Sequence, residues 1–416
     1  MWHILRKISV ILTMFGALFP ISFIFLPGVA SSRFLIALIG VVLFLKDLSK
    51  AKNNQILRTV LYLIFFSLLL CIWSILCSYI FNIYGDDSYV KYPFTLVVML
   101  LSAYVPIYLI EKEYGEANFI NITRYFLYTI LLQSLFALLM YFITPFANFL
   151  VSLQRISDFA ISIINYHLNV KTRFIGFGLL FYTASFFYAT ALILIAYSIK
   201  FKVKIFKNNI PLILLYILFS IVGMGLSRST IFGVFLSLLV LLLFNNHHYF
   251  SYKKILTYFS YIAIIIVGIV ALFNILDLAK YEALINNAFG FIVKFYENGD
   301  LESESAKGTM DYFILPQNDM VYLIGTGVNG SEDVSFGDYV YSDIGYLRLL
   351  YYFGIPGMLL YLWIEIYALK VAFWNKGYTL LFLLLVTVLL IINVKGIATL
   401  LIIALLYCYQ TPKEKL

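Results

Sequence analysis

The chain alternates between long apolar runs and short polar gaps along almost its whole length. Runs of this kind cross the roughly 30 Å hydrocarbon layer of a bilayer as single helices. Twelve runs can be distinguished, at about 8–30, 34–45, 57–82, 92–110, 122–144, 174–199, 209–226, 229–245, 255–276, 344–369, 377–393 and 395–410. The second run is short and the last two nearly touch, so eleven is the alternative count. The pattern predicts an all-α polytopic membrane protein with one transmembrane domain over residues 1–416.

The charge of the polar gaps predicts an orientation. Cytoplasmic loops retain Lys and Arg, because moving cations across the membrane is disfavoured. With the N-terminus inside, 18 of the 29 Lys and Arg residues fall in the inner gaps, all of which are short. The first apolar run is long for a signal-peptide core and further spans follow it, so we expect an uncleaved first helix. The expected topology is multi-pass in the cytoplasmic (inner) membrane, with both termini in the cytoplasm.

The composition agrees with a membrane protein and excludes several soluble classes. Of the 416 residues, 63% are hydrophobic and 12% are charged, against roughly 45–50% and about 25% in soluble domains. The net charge of +8 comes from cations in gaps between apolar runs, so we expect the lipid bilayer rather than nucleic acid as the partner. The three cysteines lie inside apolar runs without metal-site or disulfide spacing. We expect no metal and no cofactor.

Two outer segments are longer than simple connectors. Residues 145–172 contain an amphipathic stretch at 147–166, which predicts an external helix lying in the membrane interface. Residues 277–342 form one large external loop, periplasmic or extracellular, which begins with a plausible short surface helix. The loop also contains a literal GxGxxG at 325–330, but a dinucleotide site needs a strand before this motif and a helix after it. We therefore predict a turn in which the backbone closely approaches another segment.

Arginine is distributed differently from lysine. Three of the 18 inner cations are Arg, against five of the 11 outer ones. Guanidinium binds phosphate oxygens in a bidentate manner and stays charged when partly desolvated. Arg173 opens the sixth run, Arg228 lies in the turn between the seventh and eighth, and Arg348 lies about one turn into the tenth. A cation at a membrane edge meets lipid headgroups or another anion. Three arginines expected at about the same depth in the membrane, with Arg155 and Lys171 nearby, favour an anion site.

Three further residues are candidates for chemistry or binding. Asp343 borders the tenth run five residues before Arg348 and is a candidate general base, although a helix N-terminal charge is the alternative. Tyr341 can stack on a sugar face, with an interfacial aromatic belt as the alternative. His167 precedes Arg173 by six residues and could bind substrate or shuttle a proton. A plain polar contact at the interface is the alternative for His167.

Four short motifs follow one another in the second part of the chain: TRFIGFG at 172–178, LSRST at 226–230, IGTG at 324–327 and SDIGYLRLLYYFGIPGMLLYL at 342–362. Their order and layout, over roughly residues 170–365, resemble the O-antigen polymerase (Wzy-type) and O-antigen ligase superfamily of polytopic membrane glycosyltransferases. The first 170 residues resemble it only in being hydrophobic.

The resemblance implies a GT-C-like membrane fold and metal-independent transfer of a glycan from undecaprenyl pyrophosphate at the outer leaflet. It implies that Arg173 and Arg228 bind the pyrophosphate. We expect Arg348 in a supporting role and Asp343 in acceptor activation, with Arg155, His167, Lys171 and Tyr341 binding substrate. The expected product is O-antigen or capsule polysaccharide, and the family usually works with a chain-length regulator.

Other functions remain as alternatives. The ligase branch places a histidine near the start of the helix after the large loop, where this chain has Ser342-Asp343, so a polymerase is favoured over a ligase. A lipid-linked oligosaccharide flippase or other transporter has a similar number of spans. Transporters, however, tend to show related halves and mid-membrane charges, and neither is evident in the sequence. A purely structural membrane protein does not explain arginines at one level.

Overall fold

A computed structural model of the chain describes residues 2–27, 30–48, 54–80, 89–178, 181–243, 284, 313–327, 344–397 and 399–410. These residues are mostly helical and contain no β-strand; they include isolated β-bridges, one of which is an antiparallel bridge between Phe23 and Gln154. The prediction of an all-α protein is confirmed. The ninth apolar run, most of the large loop, Tyr341 and Asp343 lie outside the described residues.

The helices belong to two compact units, which are described separately. The first unit comprises residues 1–21, 26–125 and 302–416. Its helices are α1 (Trp2–Leu18), α2 (Ser32–Leu48), α3 (Asn54–Ile80), α4 (Tyr92–Tyr114), the beginning of α5 (Phe119–Phe142), α11 (Asp319–Leu323), α12 (Gly345–Ala372), α13 (Thr379–Ile392) and α14 (Leu401–Cys408).

The second unit comprises residues 22–25 and 126–301, and therefore includes most of α5. Its remaining helices among the described residues are α6 (Thr144–Ser152), α7 (Asp158–Val170), α8 (Phe181–Lys200), α9 (Ile210–Leu226) and α10 (Thr230–Leu243). Close packing in this unit depends on small residues: a Cβ on Gly233 of α10 would lie 2.4 Å from the Cα of Ala189 on α8.

Five helices of the described part are long and apolar enough to cross a membrane, which confirms the transmembrane character. They are Leu57–Ile80, Tyr92–Tyr114, Phe119–Phe142, Thr183–Lys200 and Gly345–Lys376. The helix Leu57–Ile80 shows how apolar and polar side chains are distributed between its exposed and buried sides. Apart from Arg58 near its start, its exposed stripe consists of large apolar side chains, whereas the opposite, buried stripe includes Ser67, Ser74 and Cys77. Large apolar groups outside and small polar groups inside are typical of a helix whose outer solvent is lipid.

Several apolar runs form shorter helices than the sequence predicts. The first run ends as a helix at Leu18, two residues before Pro20, which lacks an N–H donor. The last two runs give α13 with 14 residues and α14 with 8, fewer than the roughly 20 that a spanning helix needs. The count of twelve spans is not confirmed by the described residues.

The end of α1 is closed by side chains from the start of α2. Arg33 donates from Nε to the carbonyl of Ala17 at 2.7 Å and from a terminal nitrogen to that of Leu18 at 3.1 Å. Ser32 donates to the carbonyl of Gly16 at 3.0 Å. The last carbonyls of a helix have no intrahelical partner, so Arg33 acts as a cap. Arg33, which the topology prediction counts among the outer cations, therefore has a structural explanation that the sequence pattern did not reveal.

Helix α12 is broken at Gly354, where φ is 65° and ψ is −176°. Pro356 follows closely and cannot donate to the carbonyl of Tyr352 four residues earlier. The released carbonyls have tertiary partners instead. Thr326 N–H donates to Tyr351 O at 2.6 Å and Gly327 N–H donates to Tyr352 O at 3.0 Å.

The same break explains the glycines of the IGTG motif. Gly325 has a φ of 78°, and a Cβ there would lie 2.3 Å from the carbonyl oxygen of Tyr352. Gly327 has a φ of 74°, and a Cβ there would lie 2.7 Å from Oγ of Ser78. The Trp73 indole completes the arrangement by donating to the carbonyl of Phe353 at 2.8 Å. The prediction of a turn with a close backbone approach is confirmed for these two glycines.

The prediction of one continuous surface helix over 147–166 is wrong. Helix α6 ends at Ser152, the next residues are not helical, and α7 begins at Asp158 with Ser157 as its N-cap. The intervening residues pair with the segment before α2: Ile24 N–H donates to Leu153 O at 3.0 Å and Arg155 N–H donates to Ser22 O at 2.6 Å. These long-range hydrogen bonds replace the helical ones, which is why amphipathic spacing alone misjudged the segment.

Candidate functional site

Arg228 lies in a tight turn between α9 and α10. The turn is fixed by Ser227 N–H and Thr230 Oγ1, which both donate to the carbonyl of Gly223, at 2.8 and 2.9 Å. Ser227 and Ser229 are buried on either side of Arg228, which is itself half-buried. These hydrogen bonds fix the backbone that carries the Arg228 side chain.

Arg173 lies in a non-helical segment, residues 171–178, between α7 and α8. The prediction that Arg173 opens a helix is wrong, since α8 begins at Phe181. The buried amide of Gln133 on α5 holds this segment: it accepts from Phe177 N–H at 3.1 Å and donates to Phe177 O at 3.3 Å. A buried amide that satisfies both backbone groups of one residue fixes the register of a segment that has no helix or sheet.

A backbone hydrogen bond joins the two arginine segments. Phe174 N–H donates to the carbonyl of Gly225, near the end of α9, at 3.1 Å. A Cβ on Gly225 would lie 2.3 Å from Cδ2 of Phe174, so the ring occupies the space that a side chain would take. Arg173 directly precedes Phe174, and Arg228 follows Gly225 by three residues. The glycine therefore brings the two arginines together.

The two guanidinium groups lie within each other's electrostatic field. Burial lowers the pKa of Arg173, and the charge of Arg228 lowers that pKa further. Both side chains are half-buried, where like charges are screened less than in water. An anion between or beside them would relieve this repulsion and accept hydrogen bonds from both.

Lys171 is the C-cap of α7, in a left-handed conformation with φ 55° and ψ 35°. This conformation is uncommon for a residue with a side chain. Tyr141 of α5 stabilises it: its hydroxyl donates to Lys171 O at 3.2 Å, and the Lys171 ammonium donates to Tyr141 O and lies 5.2 Å from the centre of the ring. Burial lowers the pKa of this ammonium. The structure thus gives Lys171 a role in holding the segment that carries Arg173.

His167 lies near the end of α7 and is half-buried. Because the chain reverses at Lys171, Thr172 returns to the histidine, and its Oγ1 lies 2.5 Å from Nδ1 of the imidazole. Burial lowers the pKa of His167 to about 4, and the charge of Arg173 contributes to the shift. The imidazole is therefore neutral at physiological pH.

The second unit thus brings together four of the eight predicted site residues: His167, Lys171, Arg173 and Arg228. Arg155 belongs to the same unit, but it is exposed and donates to the carbonyl of Ile24 at 3.2 Å. That contact joins α6 and α7 to the segment before α2. It gives Arg155 a structural role in addition to its predicted one.

Arg348 belongs to the first unit and lies in the first turn of α12, half-buried and with a buried Nε atom. The helix start packs tightly against the turn after α13, because a Cβ on Gly345 would lie 2.5 Å from the carbonyl oxygen of Asn393 and 2.6 Å from the carbonyl carbon of Gly396. Tyr341 and Asp343 precede this helix and lie outside the described residues.

Sequence reasoning missed the residues that position the arginines: Gln133, Tyr141, Thr172, Phe174 and Gly225. Only two of these carried a signal, since Thr172 and Phe174 flank Arg173 in TRFIGFG. Gln133 and Gly225 lie inside apolar helices, where a polar amide or a glycine has many structural explanations.

The described residues contain no group of three or more His, Cys, Asp or Glu side chains that could hold a metal ion. Comparisons of the chain with protein families, curated proteins and solved structures find no match.

Proposed function

We propose that the protein is a membrane glycosyltransferase of the O-antigen polymerase type, which joins glycan repeat units carried on undecaprenyl pyrophosphate. The observation that supports this proposal most strongly is the pair Arg173 and Arg228, held together by Phe174 and Gly225. Two half-buried guanidinium groups at fixed positions suit a pyrophosphate, which offers several oxygens to bidentate donors.

The proposed chemistry uses this pair at the leaving group. Breaking the bond between sugar and pyrophosphate builds negative charge on the phosphate oxygens. Guanidinium groups already in place stabilise that charge more in the transition state than in the ground state. Electrostatic stabilisation of the leaving group requires neither a metal nor a cofactor. The lipid carrier would bring its pyrophosphate to the membrane edge, where apolar helices meet polar loops.

The finer topology belongs to the same proposal. Twelve spans with both termini in the cytoplasm would place the large loop and the arginine pair at the outer face of the inner membrane. There the product would be O-antigen or capsule polysaccharide, made with a chain-length regulator as partner. Arg348 would bind a second phosphate or support the first, and Asp343 would activate the acceptor. The last two roles come from the sequence pattern alone.

The test is the surface polysaccharide of a strain that lacks the gene. A polymerase defect leaves a single repeat unit on the final acceptor, whereas a ligase defect leaves long chains on the lipid carrier. Re-expressed wild-type protein should restore the ladder on a gel. Arg228→Ala should insert normally and yield one repeat, and Arg228→Lys should restore little of the ladder because it keeps the charge but loses the fork.

Arg58→Ala is the matched control, because Arg58 is an exposed arginine on α3. It should restore the full ladder. An undiminished ladder from Arg228→Ala, with protein present at wild-type level in the membrane, would contradict the proposed role of the arginine pair.

A further inference from the structure

A short segment of the large loop, residues 313–323, has apolar side chains on its surface. Several large apolar side chains in this segment are exposed, and about half of the area is exposed for Phe313, Leu315, Met320 and Leu323. Exposed apolar side chains that occur singly are ordinary on any protein. These are concentrated in one segment, which is too short to cross a membrane as a helix. Their exposure therefore needs its own explanation.

Helix α11 shows that the segment is apolar on two sides. Val321 is buried against the start of α12, in a cluster with Ile344 and Leu347. Met320 and Leu323 are three residues apart and share another face of the helix, and both are exposed. A surface helix in water has one apolar stripe, which faces the protein core. An apolar face on the other side of α11 indicates that its outer surroundings are apolar too.

Hydrogen bonds hold the segment in place on α12. The Tyr351 hydroxyl donates to the carbonyl of Ile314 at 3.1 Å, and the Tyr351 carbonyl accepts from Thr326 N–H at 2.6 Å. The Asn318 side chain caps α11 by accepting from Met320 N–H at 2.9 Å. The backbone is thus fixed before, within and after the helix. The exposed apolar face therefore belongs to an ordered surface of the protein.

Contacts with α3 place this segment at the edge of the membrane. Cys77 Sγ donates to the carbonyl of Ile324 at 2.6 Å, and a Cβ on Gly327 would lie 2.7 Å from Oγ of Ser78. Both α3 residues lie in the last turn of the spanning helix Leu57–Ile80. The residues directly after α11 are therefore level with the end of a hydrophobic span.

We propose that residues 313–323 lie in the membrane interface, where their exposed apolar side chains contact the acyl chains of the lipid leaflet at the end of α3. The exposed stripe of α3 reaches the same level through Leu76 and Ile80, so the lipid that covers this stripe also reaches the segment beside it. Gln317 and Asp319 are exposed between the apolar residues. A segment that is polar and apolar in this way lies about 5–10 Å into the boundary between headgroups and acyl chains.

A measurement of depth tests the proposal with purified full-length protein in vesicles of phosphatidylethanolamine and phosphatidylglycerol. Leu323→Cys is labelled with a nitroxide, and electron paramagnetic resonance compares its collision rates with oxygen, which concentrates in lipid, and with a nickel chelate, which stays in water. Leu76→Cys is the lipid control and Gln317→Cys is the water control. The wild type, treated in the same way, measures the background from the three native cysteines, which all lie in apolar helices.

The oxygen-to-nickel ratio at residue 323 should be close to that at residue 76 and several-fold higher than that at residue 317. Met320→Cys, on the same face of α11, should give the same result. A ratio at residue 320 or 323 equal to that at residue 317 would overturn the proposal, because the face would then be in water. Low collision rates with both reagents would also overturn it, because protein would then cover the face. The vesicles contain no lipid-linked sugar, so the result is independent of the proposed function.

Discussion

Phe174 N–H donates to the carbonyl of Gly225 at 3.1 Å, and the Phe174 ring fills the space where a side chain at residue 225 would lie. This direct contact joins two segments that are far apart in the chain. The arginine pair depends on it, because Arg173 and Arg228 are attached to the two backbones that it joins.

Gly225→Ala should disturb the site through this contact. A Cβ 2.3 Å from Cδ2 of Phe174 must displace the ring, and overpacking of this kind costs about 1–3 kcal/mol of stability. A shift of about 1 Å between the two arginines can lower a rate by about 100-fold. The polysaccharide ladder and the unfolding temperature in detergent measure the two effects. Phe174→Leu should make Gly225→Ala less harmful, and equal damage in both backgrounds would contradict the steric explanation.

Gly325→Ala should destabilise the protein more than Gly377→Ala. The two glycines have nearly the same φ, 78° and 82°, so each substitution carries a similar conformational strain of about 1–3 kcal/mol. They differ in space: a Cβ on Gly325 meets the backbone of α12 at 2.3 Å, whereas nothing lies within 4 Å of a Cβ on Gly377. The difference between the unfolding temperatures of the two variants measures the destabilisation caused by the steric clash at Gly325. Equal unfolding temperatures would show that the docking of the IGTG segment on α12 contributes no stability.

Arg33→Ala and Arg228→Ala should separate stability from function. Arg33 donates to two carbonyls at the end of α1, and each hydrogen bond from a charged group contributes about 1.5–3 kcal/mol. Its loss should lower the unfolding temperature without shortening the polysaccharide chains made by the protein that remains. Arg228→Ala should do the reverse. If Arg33→Ala were present at the wild-type level but made no polysaccharide, the assignment of Arg33 to stability and Arg228 to function would be refuted.

The stability of the protein should depend on pH through His167. Its pKa in the folded protein is about 4, below the ordinary value of 6.5, because burial and then Arg173 disfavour the imidazolium. The unfolded chain therefore binds this proton more readily, so the contribution to stability is complete above pH 6.5 and is lost as the pH falls toward 4.

Unfolding temperatures of wild type and His167→Gln, compared at neutral pH and at about pH 5, measure this contribution. The wild type should lose more stability on acidification than the variant. Inorganic pyrophosphate should reduce the difference, because an anion at Arg173 raises the pKa of the histidine. Identical pH dependence in the two proteins would show that His167 titrates normally.

The membrane helices and the candidate cations could be found in the sequence because both are local signals. A helix in lipid satisfies its backbone within one continuous apolar segment, so its length and composition identify it. A cation at the edge of such a segment is equally visible, which is how Arg173 and Arg228 were selected. The helix ends were less predictable. The end of α1 at Leu18, close to Pro20, is capped by Arg33 of α2, and the end of α6 at Ser152 is followed by the pairing of Ile24 with Leu153.

By itself, the sequence determined that this is an all-α protein with membrane-spanning helices and with arginines at the ends of apolar runs. Only the tertiary structure decided which of those cations meet and which have structural roles. Arg173 and Arg228 are brought together by a glycine and a phenylalanine on different segments, whereas Arg33 closes a helix end. The physical reason is that the hydrophobicity and charge of a segment follow from its own residues. A binding site depends instead on close packing between backbones that are distant in the chain, and no local sequence pattern shows which backbones will meet.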